Sequence, residues 1–154
     1  MPGPGIQKNV TGDSVPFGHK QFLHSTTYTP PESRTIYAAS HPLEVELGAG
    51  TNQKMLHPGE VLAKITSGPG AGKYGVFQEG VTDGRENVAN IVGLNKDFWP
   101  YQLMDRDVET ASLYGCVAKQ AWCTIRNAAG EKVVMTNAVA DAMRGRKDLQ
   151  ILFK

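Results

Sequence analysis

Apolar and polar positions alternate in several short stretches of this chain, and each alternation predicts a strand. Leu43-Glu44-Val45-Glu46-Leu47 alternates apolar and acidic residues, and Gly48-Ala49-Gly50 ends it. Pro58 presets φ and Gly59 tolerates φ > 0, so Pro58-Gly59 turns the chain into a strand over 60–66. On that strand Val61, Ala63 and Ile65 share one face, and Lys64 and Thr66 take the other. A glycine-rich turn then leads to a partner strand at about 73–78.

The pattern continues past a loop around Thr82-Asp83-Gly84 into a strand over Val88–Leu94. Asp97-Phe98-Trp99-Pro100-Tyr101 is an aromatic knot whose proline keeps it out of a central strand. Residues 111–126 read as one longer strand, and Asn127-Ala128-Ala129-Gly130 as a turn before Glu131–Met135. A late helix is capped by Thr136 or Asn137, with Val139, Ala142 and Met143 on one face, Arg144 in the last turn and Gly145 at C′. Leu149, Ile151 and Phe153 then share a face of a closing strand. The expected fold is mostly β with one or two short helices, an α+β domain over residues 43–154.

Residues 1–42 differ. Six of the nine prolines fall there, with scattered Gly, Ser and Thr, so the segment reads as an extended arm. Val10, Val15, Phe17, Phe22, Leu23, Tyr28, Ile36 and Tyr37 make it too apolar for a solvated linker. Two readings fit: an arm that orders against a partner, or an irregular layer over its own domain. For the first, Arg34-Thr35-Ile36-Tyr37-Ala38-Ala39 offers a β-augmentation segment between prolines.

Composition narrows the function classes. Apolar content of 40% and charged content of 20% are ordinary for a globular chain, and a formal charge of +1 gives no electrostatic pull toward nucleic acid or anionic membrane. No apolar run approaches the ~20 residues that span a bilayer. The start, Met1-Pro2-Gly3-Pro4-Gly5, lacks the basic and apolar regions of a secretory signal, so synthesis in a cytoplasm is expected. Cys116 and Cys123, if on one strand, stand ~23 Å apart at ~3.3 Å per residue, too far to bridge, and are expected to be buried inert thiols.

Candidate chemistry is sparse. Gly68-Pro69-Gly70-Ala71-Gly72-Lys73-Tyr74 imitates a phosphate-binding loop, but Ser67 stands at the first glycine position and Tyr74 at the Mg²⁺-ligating hydroxyl. A strand follows where a helix N-terminus is needed, so the loop reads as a hairpin connection. His19, His24, His41 and His57 have no metal-ligand spacing. Asp105, Asp107 and Glu109 alternate, but without the glycine and distal glutamate of a calcium loop they read as a solvated face. No cofactor, metal or catalytic set is expected.

The order of features from Leu43 onward resembles the lambda-type head decoration proteins of tailed bacteriophages. Pro58-Gly59-Glu60-Val61-Leu62-Ala63-Lys64-Ile65 and Lys73-Tyr74 carry the resemblance, continued by Thr82-Asp83-Gly84, Ala89-Asn90-Ile91-Val92-Gly93, Tyr114-Gly115-Cys116-Val117-Ala118, the late helix and Leu149–Phe153. The resemblance implies a compact β-tulip domain with an extended N-terminal arm. It further implies a non-enzymatic cement protein that binds the major capsid protein as a homotrimer, at threefold and quasi-threefold positions on the outer face of the expanded head. Phe17, Phe22, Tyr28, Arg34, Thr35, Ile36, Tyr37 and Ala38 are then expected as capsid contacts of the arm, and Trp99 and Tyr101 as trimer or capsid contacts. The rival readings are a phage tail or baseplate β-module, and a small enzyme using Asp105, Asp107 or Glu109 with a histidine.

Overall fold

The computed structural model describes residues 22–25, 27–44 and 53–154. Five strands close into a barrel: β1 (Glu32–Ile36), β2 (Val61–Lys64), β3 (Tyr74–Val76), β4 (Ile91–Asn95) and β5 (Val108–Leu113), in the order β1-β3-β2-β4-β5. Neighbours are antiparallel except β1 and β3, which meet in parallel at Ile36 and Tyr74. The glycine-rich stretch is a hairpin loop, as its residues predict: Leu62 pairs with Val76 and Lys64 with Tyr74. The amide of Ile65 donates to the Lys73 carbonyl at its base.

Two smaller sheets flank the barrel. β6 (Gly115–Ala118) runs parallel to β9 (Gln150–Phe153), and β7 (Thr124–Arg126) pairs with β8 (Lys132–Val134) across the Asn127–Gly130 turn. The helix α1 (Asn137–Arg144) starts where Thr136 accepts a hydrogen bond from the Val139 amide. Ala140, not Ala142, joins Val139 and Met143 in the core, and Gly145 closes the helix with a right-handed φ of −77°. Leu149, Ile151 and Phe153 are buried while Leu152 is half exposed, the predicted alternation of the closing strand.

Alternation along β2 splits the core. Leu62 joins Ile36, Leu56, Val76, Leu103 and Val108 in a cluster drawn from four barrel strands, which lies within the barrel. Val61 and Ala63 face the other way, into a larger cluster with α1 and the β6–β9 sheet. A strand buried on both faces is therefore the hinge between the two layers. Two glycines are required by close approaches. Gly59 (φ +86°) turns the chain under the Trp122 carbonyl, and Gly93 (φ +152°) admits the Leu113 carbonyl of the next strand.

Three expectations change. Residues 32–36, assigned to the arm because prolines surround them, form β1, hydrogen-bonded to β5 over five residue pairs from Glu32↔Ser112 to Ile36↔Val108. Pro30 and Pro31 precede the strand without entering it, and Ile36 completes the barrel core. Residues 22–24 are also part of the domain: His24 and Phe22 exchange backbone hydrogen bonds with Val117 and Lys119 beside β6. Second, the single strand expected over 111–126 is the end of β5, then β6, a 3-10 turn at Gln120–Trp122, and β7. The chain leaves the barrel at Tyr114 and reverses at the 3-10 turn, which needs no glycine or proline. Third, the strand expected from Val88 begins at Ile91, after a 3-10 turn whose cap is the Asn87 side chain accepting from the Ala89 amide. The strand expected over 43–47 falls mostly outside the described residues; Leu43 and Glu44 are not in a strand.

Candidate functional site

The densest polar constellation surrounds Arg126, at the end of the barrel where β2 begins and β3 finishes. β7 reaches this point by inserting between those ends: the Thr124 amide donates to the Gly59 carbonyl (3.0 Å), and the Arg126 amide to the Phe77 carbonyl (2.9 Å). The Arg126 side chain, 1% exposed, then makes five hydrogen bonds. Nε and Nη2 grip the Glu60 carboxylate at 2.8 and 3.2 Å; Nη1 reaches Glu44 (3.1 Å) and the Gly130 carbonyl (3.1 Å); Nη2 also reaches the Met55 carbonyl (3.1 Å). This forked pairing with a carboxylate is the strong geometry for a buried guanidinium.

The carboxylates are themselves anchored. Glu60 accepts from the His57 amide (2.8 Å) across the Pro58-Gly59 turn, so the residue that ends the turn also locks it. Glu44 Oε2 lies 3.0 Å from His57 Nε2. His41 Nε2 lies 2.7 Å from the Met55 carbonyl, and Asn95 Nδ2 donates to the His57 carbonyl (2.9 Å). Burial alone would raise the Glu60 carboxyl, but the charge of Arg126, with His57 and the Arg126 hydrogen bonds, brings it down to about 2. Glu44 is likewise lowered against burial, by the His57 hydrogen bond and the Arg126 charge. Burial disfavours the Arg126 charge, yet the two carboxylates hold its pKa above the ordinary value. Burial, then Arg126, lowers His41 to about 4. A bidentate guanidinium with every N–H engaged ties Glu44, Met55 and Glu60 to the β7–β8 hairpin.

The expected contact residues separate into two groups. Phe17 lies outside the described residues. Phe22 is 2% exposed in the larger core cluster, and Ile36 is fully buried in the barrel. Arg34 donates from Nη1 to the Tyr74 hydroxyl (3.0 Å) and from Nη2 to Glu32 (2.8 Å), stacking over the Tyr74 ring. Thr35 pairs with Glu109 in β1–β5. Tyr37 lies beneath the Lys73 ammonium, and the Ala38 amide donates to Asp107 (2.8 Å). Trp99 donates from Nε1 to Thr110 (3.1 Å) and packs on the barrel core. Phe22 and Ile36 are thus core residues of the domain, and Arg34, Thr35, Tyr37 and Ala38, expected in the arm, lie in or beside β1, while Trp99, expected as a trimer or capsid contact, packs on its own barrel. Tyr28 and, at 59% exposure, Tyr101 stay on the surface.

The alternating carboxylates do not converge. Asp107 is 2.6 Å from Lys73 Nζ, and that hydrogen bond together with the Ala38 amide lowers its pKa. Glu109 accepts from Ser33, and Asp105 closes a 3-10 turn. Cys116 and Cys123 are free and buried, and burial raises them to about 11 and about 12. Among the described residues, no group of three or more His, Cys, Asp and Glu could hold a metal ion, and no helix is long and apolar enough to cross a membrane. Comparison with family models, curated proteins and solved structures gives no match to this chain.

The Arg126 constellation escaped sequence reasoning because its partners are 66 and 82 residues distant. The available signal was a glutamate between a Pro-Gly turn and an apolar strand, where a charge needs a partner.

Proposed function

We propose that this chain is a capsid decoration protein of a tailed phage. It binds the outer surface of the expanded head as homotrimers at threefold and quasi-threefold positions, contacts the major capsid protein, and stabilises the shell against the pressure of packaged DNA. One observation carries the reading: the segments that resemble the decoration family are neighbours in space. Pro58–Ile65 and Lys73-Tyr74 make one hairpin, Ile91–Gly93 pairs beside it in β4, and Tyr114–Ala118 adjoins Leu149–Phe153. The charged residues most deeply buried serve the scaffold, in keeping with a protein whose work is attachment. With β1 paired to β5 along its length and to β3 at Ile36, capsid contact is assigned to residues 1–21, Phe17 among them, and to Tyr28 and Tyr101. Purified protein mixed with expanded heads and with unexpanded procapsids, then pelleted, tests the proposal. Binding to expanded heads alone is expected; equal binding to both, or to neither, overturns it.

A further inference from the structure

His41 closes the 3-10 turn that follows β1, its amide donating to the Ala38 carbonyl (3.2 Å), and the residue is only 3% exposed. Its Nε2 lies 2.7 Å from the Met55 carbonyl, which also takes Arg126 Nη2 (3.1 Å). A carbonyl only accepts, so the proton of the neutral ring sits on Nε2, and Nδ1 presents a lone pair. That Nδ1 is buried with no hydrogen-bond partner. The charged groups around the ring are Arg126 from β7, Glu60 at the start of β2, and Glu44. Both carboxylates are committed to Arg126, Glu44 to His57 as well, and the Lys54 ammonium to the Ala38 carbonyl. A second proton on His41 would create a buried N–H without an acceptor and a second cation beside Arg126.

The surroundings of His41 do not yield by themselves. Leu56, next to Met55, exchanges two backbone hydrogen bonds with Trp99 (3.0 and 2.9 Å) and is fully buried in the barrel cluster. Gln53 Nε2 donates to the Pro100 carbonyl (3.0 Å), and Lys54 to Ala38 (2.7 Å). On the other side of the ring, β1 leads into the His41 turn and is paired with β5 over five positions. Water reaches Nδ1 only when the barrel opens, and β2 carries Val61 and Ala63 of the second cluster with it. We propose that His41 makes the domain acid-labile as a whole: the folded barrel excludes the second imidazole proton, and mild acid drives the barrel and its flanking layer to unfold together. Burial, then the Arg126 charge, holds the ring at about 4 in the folded chain, against an ordinary 6.5. The unfolded chain binds a proton that the folded chain excludes, so stability is full above 6.5 and falls as pH drops toward 4. From pH 7.5 to 5.0 the unfolding equilibrium constant rises roughly 30-fold. Carboxylates with an ordinary value of 4.5 are still mostly ionised at pH 5.0 and add little to that change.

Urea unfolding of the full chain at pH 7.5 and 5.0, followed by tryptophan fluorescence and far-ultraviolet circular dichroism, tests this. Trp99 packs on the barrel cluster and Trp122 on the larger one, so fluorescence reports both layers. The expected result is a roughly 30-fold rise in the unfolding constant, with the two probes coincident at each pH. His41→Gln keeps a donor for the Met55 carbonyl and cannot titrate, so its constant should change by less than about threefold. If it fails to fold, His41→Leu serves the same comparison. Nuclear magnetic resonance of the natural sequence is the second measurement: one histidine ring should stay neutral in the folded protein from pH 7.5 to 5.0. A rise under about threefold in the natural sequence, an equal rise in the His41 variant, separate transitions for the two probes, or every histidine titrating near 6.5 would each overturn the proposal.

Discussion

Replacing Arg126 with methionine keeps an unbranched apolar stem, drops the guanidinium and removes all five of its hydrogen bonds. Glu60, with no exposed surface, and Glu44 are left buried without their cation. Breaking a buried ion pair from one side costs about 3–5 kcal/mol, because the surviving charge stays desolvated. For a chain of this size that lowers Tm by roughly 6–20 °C. The pH dependence carries a second signature. With Arg126 present, the Glu60 carboxyl is depressed to about 2, so its contribution to stability is present above the unfolded value of 4.5 and lost as pH falls toward 2. Without Arg126, burial pushes the same carboxyl up, and protonation relieves the variant. The deficit of Arg126→Met relative to the natural sequence therefore narrows from pH 7 to pH 5. Adding Glu60→Gln to Arg126→Met should recover part of the loss, since it removes the stranded charge. Urea unfolding at the two pH values measures all three proteins. A deficit under about 1 kcal/mol at pH 7, or one that widens in acid, would refute the reasoning.

Further outcomes follow from the boundaries of the domain and from its thiols. Deleting residues 1–21 should keep a cooperative unfolding transition by circular dichroism. Deleting residues 1–40 removes Phe22 from the core and β1 from the barrel and should abolish that transition. A folded 41–154 fragment would show that β1 is dispensable. Cys116 and Cys123, raised by burial to about 11 and about 12, should resist alkylation at pH 8 in the native protein and react fully in denaturant. Complete labelling of the native protein within minutes would contradict their burial.

Local pattern identified the elements that local residues specify. The β2–β3 and β7–β8 hairpins, α1 and β9 each carry their own alternation, cap or turn residue, and a period of 2 or 3.6 is visible over a few positions. What escaped was long-range. β1 sits among prolines that mask its pattern, and its partner β5 lies more than seventy residues away, so only closure of the barrel explains why Glu32–Ile36 is a strand. The turn at Gln120–Trp122 has no Gly or Pro to announce it, which hid the break between β6 and β7. Arg126, Glu60 and Glu44 are individually unremarkable surface-type residues; only the insertion of β7 between β2 and β3 brings them together.

Whether the chain sits on a phage particle, and where, bears most directly on the proposed role. Electron microscopy of intact phage particles carrying a gold-labelled copy of this chain separates head from tail in one image. Label distributed over the surface of the filled head, at its threefold and quasi-threefold positions, is the expected result. Label confined to the tail or baseplate, or absent from the particle, would contradict it.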